Sequence, residues 1–239
     1  MKSEEKNYFN KIAGAFDKDY NVYLKSSGMV RVRRRVELYI KHCNLNPSLK
    51  ILEIGCGTGE YSRVLLQRGL NLFATDLSFN MIKEAQKKVR PHGNPKLFVS
   101  DIEMLPVPKN KFDAVIGNSV LHHLRAEKAL EEVFRVLKKG GGFAFSEPNM
   151  FNPQIFIQKN IKPIKRLLGD TPDETAFSSR GIKKMLEKTG FKKILVVPFD
   201  FLHPYTPAPF VKCVDRIGLI LEKTPLREIA GSLFITGEK

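Results

Sequence analysis

The sequence has little that would cross-link a chain or hold it in a bilayer. Its 239 residues include only three cysteines, Cys43, Cys56 and Cys213, far apart and without a CxxC pair, so neither a disulfide framework nor a structural metal centre is expected. No window approaches the roughly 18 consecutive apolar residues of a membrane span. The opening MKSEEKNYFN lacks the apolar run of a secretory signal, which makes a soluble, cytoplasmic protein the expectation. Internal repeats and low-complexity stretches are missing too, while 42% hydrophobic content is enough for one real core with additions.

What the chain has in excess is positive charge. Lys and Arg number 40 against 25 Asp and Glu, a formal +15, which invites a nucleic-acid, membrane-surface or anionic-substrate reading. Residues 1–44 hold +5, residues 45–150 only +4 and residues 151–239 +6, so an anionic partner is expected at the flanks. The densest run is Arg31, Arg33, Arg34 and Arg35, interleaved with Val32, Val36, Leu38, Tyr39 and Ile40. That pattern predicts an amphipathic helix with its arginines in solvent.

From Lys50 the pattern becomes regular. The apolar runs ILEIG, LNLFATD, KLFVSD, FDAVIGNSV and FAFSEPN alternate with helical stretches such as EYSRVLLQRG and SFNMIKEAQKKV, and two more runs, KILVVPF and SLFITGE, close the chain. Short continuous apolar runs suit parallel strands covered on both faces, and their alternation with helices predicts a doubly wound, mostly parallel, seven-stranded Rossmann-like α/β sheet. Gly140, Gly141 and Gly142 after Lys138 and Lys139 read as a helix stop feeding the fifth strand. Residues 1–44 form a helical N-terminal cap on this reading, 45–149 the core, 150–177 a lid insertion, and 178–239 the rest of the core with a helical excursion at about 200–228.

The sharpest local signal is Leu52-Glu53-Ile54-Gly55-Cys56-Gly57-Thr58-Gly59, a strand entering a glycine loop that opens a helix. Glycines let the backbone approach a ligand, and the helix N-terminus offers free N–H groups. The spacing departs from the GxGxxG of nicotinamide enzymes, because the third glycine is Gly59 and Glu60 stands where that fingerprint needs glycine or alanine. EIGCGTG after an apolar strand instead resembles motif I of the class I S-adenosylmethionine-dependent methyltransferases, and within them the small-molecule type 11 family. The resemblance runs from about Lys50 to Asn149. It implies S-adenosyl-L-methionine as cofactor, held by Glu53, Gly55, Cys56, Gly57 and Gly59 of the loop. Asp76 is similar to the family's ribose-binding acid, Leu77 and Met81 to its apolar contacts, Asp101 with Ile102 to its adenine contacts, and Asn118 to the residue near the methionine part.

The same resemblance implies methyl transfer to an O, N or C atom of a small-molecule acceptor, expected to be anionic or lipid-linked, with peripheral membrane contact as a further option. Candidates for a general base are His122 and His123, after the fourth strand. Candidate pocket residues are Tyr20, Glu147, Asn149, His203 and Tyr205, with Tyr8, Phe9, Phe16 and Tyr23 as aromatic walls. Two alternatives stay open: an RNA methyltransferase, against which stand the absence of an NPPY-like motif, of a Pro-Cys pair and of an appended RNA-binding module, and a pseudoenzyme that only binds the cofactor.

Overall fold

The structure is a computed structural model that describes residues 2–16, 25–167 and 174–239. Strands β1 (Lys50–Ile54), β2 (Asn71–Asp76), β3 (Lys96–Val99), β4 (Phe112–Asn118), β5 (Leu137–Pro148), β6 (Lys192–Phe199) and β7 (Ser232–Glu238) form one sheet in the order β3-β2-β1-β4-β5-β7-β6. Strand β7 runs antiparallel to β5 and β6, and all other pairs are parallel. This is the seven-stranded, mostly parallel Rossmann-like sheet that the sequence predicts.

The helices are α1 (Lys2–Ile12), α2 (Ser26–Cys43), α3 (Glu60–Gln67), α4 (Phe79–Val89), α5 (Ala126–Val136), α6 (Pro153–Asn160), α7 (Lys162–Leu167), α8 (Ser179–Thr189) and α9 (Val211–Leu221). Successive strand side chains point to opposite faces. Ile51, Ala114, Ile116 and Ala144 therefore pack with Val32, Val36 and Tyr39 of α2 and Val64 and Leu65 of α3. Leu52, Ile54, Val115, Phe143 and Phe145 pack on the other face with Leu130 and Val133 of α5 and Ile182 and Leu186 of α8. Two covered faces explain why the strands read as continuous apolar runs. The strand order reverses between β1 and β4, so the crevice for a ligand opens at their C-terminal ends.

Two expectations need correction. Helix α5 ends at Val136, and Lys138 through Gly142 already belong to β5. The glycines serve a register shift against β4 between Phe112 and Ala114, where Gly140 has φ +76 and a side chain on Gly141 would come within 2.9 Å of the Lys138 carbonyl. The arginine run of α2 is likewise no solvated face, since of its four arginines only Arg33 is exposed. Arg31 Nε and Arg35 Nη2 lie 2.8 and 2.6 Å from Asp200 Oδ2, and Arg34 pairs with Glu222. The reason is Asp200, buried after β6, whose charge has to be paired. Burial opposes its ionisation, but Arg35 and then Arg31 hold its carboxyl well below the usual carboxylate range.

The added segments pack loosely. Helix α6 buries no apolar side chain and turns only Lys159 inward, to Glu174; α9 buries only Val211 and Gly218, and Phe156, Ile157, Phe210, Ile217, Leu219 and Ile220 stay exposed. Among the described residues no helix is long and apolar enough to cross a membrane.

Candidate functional site

Strand β1 delivers the glycine loop to the crevice. Gly59 (φ +82) caps α3 and lies so close to α4 that an added Cβ would meet Ala85 Cα and Cβ at 3.0 Å. Gly57 (φ +52) has the opposite surroundings, because a Cβ there would meet nothing within 4 Å. The middle of the loop thus presents bare backbone to open space. Glu60, which follows, pairs with Arg63 and Lys88.

Strand β2 ends in Asp76, whose two oxygens are already at work. Oδ2 accepts from Gly57 N and Oδ1 from Ser78 N, both at 2.9 Å, so this carboxylate fixes the loop and leaves further lone-pair capacity on each oxygen. Burial raises its pKa, against the backbone N–H groups of Ser78, Gly57 and Leu77. Glu53, 4% exposed, accepts from Ser62 Oγ. Burial first, and the Asp76 charge in addition, push its carboxyl up to about 8.

These groups wall a cavity of about 350 Å³. Glu53, Gly55, Cys56, Gly57, Asp76, Leu77, Met81, Ile102, Asn118 and His123 meet there, and Tyr8, Phe9, Ile12 and Phe16 cover it from the N-terminal side. Helix α1 is fixed over this place by Asn10, which accepts from Ser78 Oγ (2.7 Å) and Asn80 N (3.2 Å). Asp101 is adjacent to the wall, where its Oδ1 accepts from Glu103 N at 2.9 Å and caps the 3₁₀ turn Ile102–Met104. Tyr20 and Tyr23 lie outside the described residues.

The other sequence candidates do not line the cavity. His122 is buried with both ring nitrogens turned to carboxylates: Nδ1 is 2.7 Å from Glu147 Oε2 and Nε2 is 3.5 Å from Glu174 Oε1. Burial alone would lower its pKa, but the hydrogen bonds of Glu147 and Glu174 outweigh it and raise the imidazole to about 9. At neutral pH this ring is an imidazolium with no proton vacancy, the wrong state for a base. Glu147 is a positioning residue, its Oε1 accepting from Val120 N and Leu121 N at 2.9 Å and so shaping the turn after β4. Asn149 donates to the carbonyls of Glu228 and Ala230 and ties the end of β5 to the segment before β7. His203 Nδ1 accepts from Tyr205 N at 3.2 Å, and neither residue reaches the cavity wall.

Glu5 and Glu174 are wall residues that the sequence reading missed. No local pattern marks them, since Glu174 is placed by His122 and Lys159, 52 and 15 residues away in the chain. Burial opposes the ionisation of Glu174, yet the hydrogen bond of His122, with the charges of His123, His122 and Lys159, holds its carboxyl well below the usual range. His122, His123 and Glu174 bring ring nitrogens and a carboxylate oxygen within 4.8 Å of one another, a donor set of metal-ligand type. The Lys159 ammonium already sits on that carboxylate.

A family profile described as a methyltransferase domain matches residues 52–145. The chain is 31% identical over 169 residues to a 2-methyl-6-phytyl-1,4-hydroquinone methyltransferase of Synechocystis, covering 69% of this chain and 53% of that protein. It is 26% identical over 182 residues to a malonyl-[acyl-carrier protein] O-methyltransferase of Paenibacillus, covering 71% and 65%. The chain therefore spans between about half and two thirds of the length of these curated relatives. Among solved structures, a magnesium protoporphyrin IX methyltransferase from Synechocystis with bound SAH superposes with a TM-score of 0.67 at 22% identity, covering 100% of both chains. Residues 52–145 thus carry a methyltransferase domain, and the sheet order, glycine loop and acid-ended second strand have the fold of the solved methyltransferase.

Proposed function

We propose that this protein binds S-adenosyl-L-methionine in the 350 Å³ cavity and moves its methyl group to an O, N or C atom of a small-molecule acceptor. The observation that supports it most is the pairing of Asp76 with Gly57: a buried carboxylate holding bare loop backbone at the edge of open space, with acceptor capacity left over. The residues present fit the cofactor. Asn118 Oδ1 is buried there without a partner, and the cavity wall carries acids for hydroxyl and cationic groups beside apolar side chains for a ring.

When bound, the cofactor supplies an activated methyl group on a sulfonium. The protein's part is to bind, orient and dehydrate. The N-terminal turn of α3 offers backbone N–H groups, while those of Cys56, Gly57 and Gly59 are taken up by Thr75 O, Asp76 Oδ2 and Cys56 O and hold the loop in shape. Asp76 takes the ribose hydroxyls, Glu53 the cationic end, Leu77, Met81 and Ile102 the adenine faces, and Asp101 beside Ile102 its amino group. Tyr8, Phe9 and Phe16 exclude water and offer ring faces to a cation. Holding two reactants in line contributes on the order of 7–11 kcal/mol, which lets such a site work without strong acid–base chemistry. Where the acceptor has a proton to lose, His123 is the better placed histidine. It lines the cavity, and its Nδ1, 3.3 Å from Glu5 Oε1, makes no hydrogen bond.

The hydroquinone named for one relative supports the small-molecule reading, and the malonyl-[acyl-carrier protein] named for another supports a small acceptor group on a carrier. The apolar side chains left exposed on α6 and α9 support an acceptor with an apolar or lipid-linked portion. The engagement of Arg31, Arg34 and Arg35 inside the fold removes one of the two observations that had favoured RNA, the other being the overall +15 charge. The test is calorimetry with S-adenosylmethionine and its demethylated product, followed by mass-detected methyl transfer over hydroquinone, carboxylate, amine and lipid-linked acceptors. Absence of binding at millimolar ligand refutes the proposal.

A further inference from the structure

The large apolar side chains that this protein exposes are concentrated in one region. Of the sixteen among the described residues, twelve lie in two stretches, 151–167 between β5 and α8 and 203–229 between β6 and β7. Single exposed apolar residues are ordinary, whereas a concentration of them marks a contact surface. The two stretches form one cover, because the start of α6 is tied to both ends of the later one: Gln154 Nε2 lies 3.1 Å from His203 Nε2, and Asn152 Nδ2 donates to the Ile229 carbonyl at 2.8 Å.

Helix α9 is inverted relative to a helix that faces water. It turns Val211 and Gly218 inward, Gly218 against Phe201. Ile217 and Ile220, 51% and 64% exposed, point outward on a row that begins at the exposed Cys213 with the spacing i, i+4, i+7. Beside this row stand Lys212 and Arg216, both exposed, and an exposed Lys223 continues their line past the end of the helix. The nearby acids are directed elsewhere, Glu222 to Arg34 and Asp215 half-buried. The α6–α7 half of the cover has the same character, since residues 150–169 carry Lys159, Lys162, Lys165 and Arg166 and no Asp or Glu, while Phe156, Ile157 and Ile161 stay exposed.

An apolar row flanked by long basic side chains has a matching partner in a bilayer with anionic head groups, which takes the apolar side chains below its phosphates and the basic ones at them. A second copy of the chain matches less well, because it would bring two faces of the same positive sign together. The cover also reaches the large cavity: Lys159 pairs with Glu174 of the cavity wall, and Lys165 Nζ donates to the Glu174 carbonyl at 2.6 Å.

We infer that α6, α7 and α9 form a docking face that seats the protein peripherally on an anionic phospholipid surface, with Ile217 and Ile220 at the acyl boundary and Lys212, Arg216 and Lys223 at the phosphates. The inference goes beyond the methyl-transfer reading, to which it adds an acceptor delivered from the lipid phase instead of from water.

The test exploits the absence of tryptophan from the sequence. Ile220→Trp puts a single indole on the outer row, and its emission should shift to the blue when vesicles of mixed phosphatidylcholine and phosphatidylglycerol are added, but not with phosphatidylcholine alone. In co-sedimentation the unsubstituted chain should bind the mixed vesicles at least about tenfold more tightly than phosphatidylcholine vesicles, with the preference falling as salt is added. Lys212→Gln with Lys223→Gln should weaken that binding about fivefold per charge, roughly 25-fold together, and Ile217→Ser with Ile220→Ser about tenfold or more. S-adenosylhomocysteine affinity should not move in any of them, since none of these residues lines the cavity. No sedimentation with the mixed vesicles, equal binding to phosphatidylcholine, an unshifted indole, or indifference to the serine pair overturns the docking face. So does a lipid-free dimer in the ultracentrifuge that the serine pair dissolves, which would give the face to a second copy. Failure of the unsubstituted chain to bind S-adenosylhomocysteine overturns the methyl-transfer reading instead and leaves the docking face standing.

Discussion

Replacing His122 by glutamine separates an anchoring imidazolium from a catalytic base. In the folded protein the ring titrates at about 9, against 6.5 for an ordinary histidine. Because the folded value is the higher one, the stabilisation is fully present below pH 6.5 and is lost as pH rises through 9. The gap, at ~1.4 kcal/mol per pH unit, is equivalent to about 3 kcal/mol, or roughly 6–12 °C in Tm for a chain of this size. Loss of the hydrogen bonds to Glu147 and Glu174 adds a pH-independent cost of about 1–3 kcal/mol. The assay is urea unfolding of the native protein and of His122→Gln at intervals from pH 6 to pH 10. Glu53 titrates in the same window, so the informative quantity is the difference between the two proteins. It should be largest near pH 6 and shrink by about 3 kcal/mol by pH 9.5, while methyl transfer by the variant falls only a few-fold. A pH-independent difference refutes the imidazolium. A loss of kcat of about 10²–10⁴ without loss of stability refutes the anchoring role and makes His122 the base.

Three other outcomes follow from the same geometry. Asp76→Asn turns an amide N–H toward the N–H group of Gly57 or Ser78 and removes the charge, so affinity for S-adenosylhomocysteine should fall about 10–100-fold by calorimetry, and an unchanged affinity would show that Asp76 does not touch the cofactor. Glu53, pushed up to about 8 in the free protein, should ionise when a cationic ligand arrives, so binding at pH 7 should release up to about one proton, seen as a buffer-dependent binding enthalpy that Glu53→Gln abolishes. Gly55→Ala would place a Cβ 2.4 Å from Val120 Cγ2 at φ +64, costing about 2–4 kcal/mol in chemical denaturation. Adding Val120→Ala should recover part of that, the remaining strain being the backbone's own, and no recovery would mean that the clash is not the cause.

The part of this protein legible in its sequence is the part whose partners lie nearby in the chain. Glycine loop, acid at the end of β2 and Ile102 meet within about 50 residues, in the order that a doubly wound sheet imposes, and they come together at one cavity. Glu147 reads only as a strand-end acid, because its work on Val120, Leu121 and His122 spans 25–27 residues and depends on β5 lying next to β4. The arginines of α2 mislead for the same reason. A periodic pattern reports which face of a helix is polar, not whether a buried Asp200 stands 169 residues away to receive it. The glycine triplet misleads because a helix stop and a strand irregularity need the same residue.

Strand β7 comes last in the chain but sits between β5 and β6 in the sheet, which has a consequence for synthesis. Until its seven residues leave the ribosome, β5 and β6 keep open edges, the ladders that stray strands pair with. Helix α2 waits as well, since Arg35 finds Ser232 only 197 residues later. At ~5–20 residues per second the delay is about 10–40 s. A nascent chain of this protein is thus a long-lived, sticky partial sheet until β7 emerges, so slow codons between β6 and β7 should lower soluble yield more than the same codons ahead of β1.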